Sequence, residues 1–132
     1  MLSRPEHGWS DICIGEHRLR VSYIEPVPEM LLMTFIRALS TNAAADVTFD
    51  AEGWTWRLES DAVTRLTIMD GDATETYTVT VSARELAQEA VDDFQRDLEA
   101  WSSDWNCRHR PGQAATERAK IARLCKQLEG LL

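Results

Sequence analysis

With 132 residues, 44% of them hydrophobic and 27% charged, the chain is long enough for one hydrophobic core and too short for two, and its balance excludes global disorder. The formal net charge of −8 is unevenly spread: residues 42–104 carry fifteen Asp/Glu against four Arg, whereas residues 105–132 carry six Arg/Lys against two Glu. An acidic field of that size disfavours nucleic acid as a partner and favours a basic protein. We therefore read residues 1–132 as a single α+β domain that binds.

The opening Met1-Leu2-Ser3-Arg4-Pro5-Glu6 lacks the apolar run of a signal peptide. The longest apolar stretch, Met30 to Ile36, is far too short to span a bilayer, so no membrane association is expected. Three cysteines without C-x-x-C spacing suggest neither a disulfide framework nor a zinc site, and reduced thiols in a cytoplasm are the economical expectation.

In chain order, Ser10 to Ile24 alternates loosely about Gly15-Glu16 and predicts two short strands. Pro26 and Pro28 open a helix over Glu29 to Leu39 that is apolar nearly all round, so a sheet should cover one side and another element the other. Val47 and Phe49, then Trp54, Trp56 and Leu58, alternate with polar residues. Ala62 to Met69 and Thr76 to Ser82 are rich in Val, Ile, Thr and Tyr and are joined through Asp70-Gly71. Together these predict a four-strand antiparallel meander with one wet face, Tyr77, Val79 and Val81 lying on its buried side.

Ser82-Ala83-Arg84-Glu85 is a capping box. It opens a long amphipathic helix whose stripe is Leu86, Ala90, Phe94, Leu98, Trp101 and Trp105, with Leu98 largely buried and Asp92 and Asp93 exposed. After Pro111-Gly112, a last helix from about Ala114 should bury Ile121, Leu124, Cys125 and Leu128. The expected order is ββα-ββββ-αα, with helices packed on one face of an antiparallel sheet.

Motifs that carry chemistry are missing. His7, His17 and His109 show no helical metal pairing, the six glycines are isolated, and G-x-S-x-G does not occur. Asp70-Gly71-Asp72 lacks the order of a calcium loop and is explained by a hairpin turn. Cys107-Arg108-His109 could bring a thiol near an imidazole, but a solvated loop before Pro111 accounts for it; Cys13 and Cys125 read as small buried hydrophobes. No catalytic residue, metal or cofactor is expected. Of the tryptophans, Trp54, Trp56, Trp101 and Trp105 fit core stripes, and Trp9 is the one expected to be exposed.

The carboxylates carry the functional expectation. Asp46, Asp50, Glu52, Glu59, Asp61, Asp70, Asp72 and Glu75 fall on outward strand positions or in turns, and Asp92, Asp93, Asp97 and Glu99 on the outer side of the long helix. An ordinary solvated surface is the plain explanation. The excess over residues 42–104 makes all of these except Glu99 candidate partner-binding residues. The basic residues Arg108, Arg110, Arg118, Lys120, Arg123 and Lys126 are expected to offset that field or the last helix's dipole.

The run Trp9-Ser10-Asp11-Ile12, Gly15-Glu16-His17-Arg18-Leu19-Arg20 and Ser22-Tyr23-Ile24, with the Phe49-Asp50-Ala51-Glu52-Gly53-Trp54-Thr55-Trp56 hairpin, resembles small bacterial immunity proteins encoded beside contact-dependent or other polymorphic toxins. The resemblance covers the chain to about Trp56 and carries over no catalytic residue. It implies a cytoplasmic, non-enzymatic antagonist that blocks a basic toxin domain of the nuclease kind. The competing expectation is an acidic secretion chaperone for an effector protein; those chaperones begin with a helix, whereas this chain begins with strands.

Overall fold

A computed structural model of the chain describes residues 1–105 and 112–132. Cys107, Arg108, His109, Arg110 and Pro111, singled out above, lie outside the described residues.

Strands β1 (Trp9–Ile14) and β2 (His17–Ser22) form an antiparallel hairpin with Ile12 opposite Leu19 and Ser10 opposite Val21. Alternation turns Ile12, Ile14, Leu19 and Val21 inward. The same alternation turns Cys13 outward, so that thiol is exposed and not buried as expected. The Pro-initiated helix α1 (Val27–Thr41) buries Val27, Pro28, Leu31, Leu32, Phe35 and Ala38. It lies against the strand that follows it, β3 (Ala45–Asp50), and against two later helices, leaving Met33 half exposed.

Strands β3 (Ala45–Asp50), β4 (Thr55–Ser60), β5 (Thr64–Asp70) and β6 (Ala73–Val79) form an antiparallel meander in that spatial order. Phe49, Trp56 and Ile68 share one cross-strand row on the inner face, and Val47, Leu58 and Leu66 share the next. The outer face carries Asp46, Thr48, Arg57, Glu59, Arg65 and Thr67 and, among the described residues, is covered by no helix. β6 starts three residues earlier than expected, because Gly71, at φ 58°, lets the chain reverse within two residues. Its side chains also correct the prediction. Tyr77 is exposed and Val79 only half-buried; the turn end of the first hairpin meets them, His17 at the start of β2 stacking on Tyr77 with ring centroids 4.5 Å apart and Gly15 lying against Val79.

The capping box forms as expected: the Glu85 amide donates to Ser82 Oγ at 3.2 Å and the Ser82 amide to Glu85 Oε2 at 2.8 Å. The helix it opens, α2 (Ala83–Arg96), is shorter than its apolar stripe. Asp97 leaves helical geometry, and a π-helical turn follows over Ala100–Asp104, with the Trp105 amide donating to the Ala100 carbonyl. The wide turn carries Trp101 and Trp105 inward together, centroids 4.8 Å apart. Leu98, next to the break, is half-buried and not core. Helix α3 (Gln113–Glu129) buries Ile121, Leu124, Cys125 and Leu128, the four residues its spacing predicts. No helix among the described residues is long and apolar enough to cross a membrane.

Candidate functional surface

The meander's connectivity sorts the predicted carboxylates by place. The β3–β4 and β5–β6 turns lie at the same end of the sheet, because β3 and β5 run in the same direction. That end carries Asp50, Glu52, Asp70 and Asp72, all exposed, with Glu75 one row further along β6. Glu25, which sequence reasoning passed over, joins them: its Oε1 accepts from the Asp50 amide at 2.5 Å. Glu52 accepts from the Ser22 hydroxyl and Glu75 from the Tyr77 hydroxyl, the latter bond holding the phenol's pKa above its ordinary value. Among the described residues none of these six carboxylates has an ion-pair partner. Half-buried Trp54 and Met69, and exposed Ile24, give this end apolar surface as well.

The remaining predicted residues lie elsewhere. Asp61 is in the turn at the opposite end of the sheet, and Asp92 is exposed on α2, accepting from Gln88. Asp46 sits on the outer face in a bidentate pair with Arg57, at 2.8 and 2.6 Å, which holds its carboxyl below the usual carboxylate range. Glu59 flanks the same guanidinium at 3.6 Å. Asp97 is half-buried and paired with Arg96 at 2.8 Å.

Asp93 departs most from expectation. It is buried: its Oδ2 accepts from the Leu2 amide at 2.7 Å and lies 3.1 Å from the Met1 amino group, while its Oδ1 accepts from Arg96 at 2.9 Å. Its charge is used inside the fold and is not presented to a partner.

Next to the acidic end, a cleft of about 200 Å³ is lined by Tyr23, Glu25, Glu29, Trp101, Trp105 and Glu117, among others. Burial, together with a hydrogen bond and charge repulsion from Glu117, raises the Glu29 pKa to about 7, against the pull of Lys120 at 3.6 Å. Glu29 in the folded chain thus keeps a proton that the unfolded chain releases above its ordinary value of 4.5. The stability this adds is complete below that value and is lost as pH rises to about 7. Glu29→Gln should therefore leave stability nearly unchanged near pH 4 and raise it by about 1–2 kcal/mol at pH 8, a figure reduced for solvent access to the cleft. Urea unfolding at the two pH values checks this. An equal effect at both would place the extra proton elsewhere.

The other chemistry-bearing groups are quiet. Burial pushes the Cys125 thiol up to about 11, away from reactivity. Of the basic residues expected to offset the acidic field, Arg118 pairs with Glu99 at 2.9 Å and Lys120 with Glu29. Trp9 is half-buried under the Arg20 guanidinium, 4.5 Å from the ring centroid. No cluster of His, Cys, Asp or Glu among the described residues could hold a metal ion. Comparison of the chain with protein-family models, with curated proteins and with solved structures finds no match.

Proposed function

We propose that the chain is a non-enzymatic immunity protein of the bacterial cytoplasm that neutralises a basic toxin domain, of the nuclease kind, through the acidic end of its four-stranded sheet. One observation carries the reading. Glu25, Asp50, Glu52, Asp70, Asp72 and Glu75 share one end of the sheet with no ion-pair partner among the described residues, whereas Asp46, Asp93 and Asp97 are paired with cations within the fold. A field left uncompensated on one side steers an oppositely charged partner and speeds encounter, the property an antidote needs. The apolar residues at its margin, Ile24, Trp54 and Met69, supply the desolvated contacts from which interface energy comes.

The test is association kinetics with the basic toxin domain encoded beside this chain's gene. Neutralising Asp50, Glu52, Asp70 and Asp72 together as amides should lower the on-rate by about tenfold and flatten its salt dependence. Raising salt should mimic the substitutions, because the Debye length at physiological ionic strength is only about 8 Å. An on-rate indifferent to both would leave these carboxylates as a solvated surface. A secretion chaperone would instead hold an unfolded effector segment and ignore a folded toxin domain.

A further inference from the structure

Strand β6 is an edge with no proline, lysine or bulge to blunt it; its one charge is Glu75, and the first hairpin meets it only around Tyr77 and Val79 among the described residues. Natural edges are blunted by proline, lysine, a bulge or a covering element, since a row of unpaired backbone groups is a template for another strand. The β6 sequence, Ala73-Thr74-Glu75-Thr76-Tyr77-Thr78-Val79, contains neither proline nor lysine. Its pairing with β5 runs without a bulge from Asp70–Ala73 to Thr64–Val79. Residues Ala73 to Thr78 are exposed, and among the described residues no strand pairs with its outer side.

The register says which groups are free. The two-residue turn Gly71-Asp72 closes on the pair Asp70–Ala73, and hydrogen-bonded pairs alternate with open pairs along an antiparallel ladder. Ala73, Glu75, Tyr77 and Val79 therefore turn their backbone groups to β5. The N–H and C=O groups of Thr74, Thr76 and Thr78 point outward.

We propose that a basic, extended segment of a partner protein adds to β6 as a fifth strand, with a Lys or Arg opposite Glu75 and an apolar residue opposite Tyr77. This rests on the proposed basic partner and names the segment gripped. Antiparallel addition would make Glu75 and Tyr77 open-pair positions, where cross-strand side chains approach most closely. Charge selects the occupant: Glu75, Asp70 and Asp72 flank the edge, and β6 itself holds no cation. A second copy of this chain would bring its own net −8 to the same place.

The probe is the octapeptide Thr-Val-Thr-Val-Thr-Lys-Thr-Lys, with a version in which both lysines are glutamates. Amide exchange by NMR should show Thr74, Thr76 and Thr78 protected by the lysine peptide and unaffected by the glutamate one. Thr76→Pro removes an outward N–H without touching the β5 ladder, and proline is tolerated on an edge strand. It should weaken binding by about tenfold or more, whereas Thr76→Ala, which loses the same side chain but keeps the N–H, should bind normally. Protection in the unsubstituted chain is decisive even if Thr76→Pro does not fold. Absence of protection, equal binding of both peptides, or equal binding by the two variants would overturn strand addition. So would a concentration-dependent dimer that Thr76→Pro abolishes, which would make a second copy the occupant. A toxin domain that binds wild type and Thr76→Pro equally would overturn strand addition while leaving the acidic-surface reading intact.

Discussion

Phe94→Ala is expected to cost about 3–5 kcal/mol of stability, the range for truncating a fully buried aromatic. Phe94 has no exposed surface and sits on the buried stripe of α2 with Leu86, Ala87, Ala90 and Val91. Its ring meets Trp101 edge-on, centroids 5.0 Å apart and planes 73° apart. That geometry matches the ring quadrupoles and adds about 0.5–1.5 kcal/mol beyond area burial. Because Trp101 belongs to the π-helical turn, the substitution should loosen the turn along with the helix. Urea unfolding should show a lower midpoint at unchanged slope, and near-ultraviolet circular dichroism should show weakened tryptophan signals. Half-buried Leu98 provides the comparison, and Leu98→Ala should cost clearly less. A loss below about 1 kcal/mol for Phe94→Ala would mean that the cavity collapses and that this stripe does not hold α2 in place.

Where local pattern and tertiary contact agree, the fold is legible in the residues alone. Val47 and Phe49 alternate with polar neighbours, as do Trp56 and Leu58, and the strands fall there with the apolar set inward. Ser82 and Glu85 need only each other to cap α2, so the capping box could be read at a distance of three residues. β6 misleads because Tyr77 and Val79 look like a core strand, yet burial depends on whether something else in the fold reaches that far. Cys13 was readable: the phase set by Ile12 and Ile14 turns it outward. The acidic end became visible only through topology. The matched direction of β3 and β5 brings Asp50 and Asp70 to one side, and no sequence pattern announces Glu25, whose partner is 25 residues away. Conversely, charge counting overrated Asp46, Glu59 and Asp97, since their cations come from cross-strand register or an adjacent residue.

Asp93 is the clearest failure of the rule that charge faces water, and Asp93→Ala is expected to destabilise the chain by about 3–5 kcal/mol, as removing one partner of a buried charged network does. The residue lies seven positions after Leu86, which places both on the same face of α2, so helical periodicity did carry a signal for burial. What it could not carry is the partner, because the Leu2 amide is 91 residues away in the chain. Leu2 itself is core, bridged to Ile12, and Arg96 ties the same segment by donating to the Leu2 carbonyl at 3.2 Å. Alanine would leave the buried Leu2 N–H without its acceptor and remove one carboxylate from the Arg96 fork. Asn keeps an acceptor without the charge, so Asp93→Asn should fall between wild type and Asp93→Ala. Exposed Asp92 is the neighbouring control, and Asp92→Ala should stay within about 0.5 kcal/mol of wild type. Urea unfolding measures all three, and amide exchange at Leu2 should accelerate in Asp93→Ala by more than global destabilisation explains. The carboxylate points into the fold, so Asp93→Asn should also leave untouched the salt dependence of association with the proposed basic partner, in contrast to amides at Asp70 and Asp72. If Asp93→Ala costs no more than Asp92→Ala, then Leu2 is held by apolar contacts alone and the buried carboxylate adds nothing to the fold's stability.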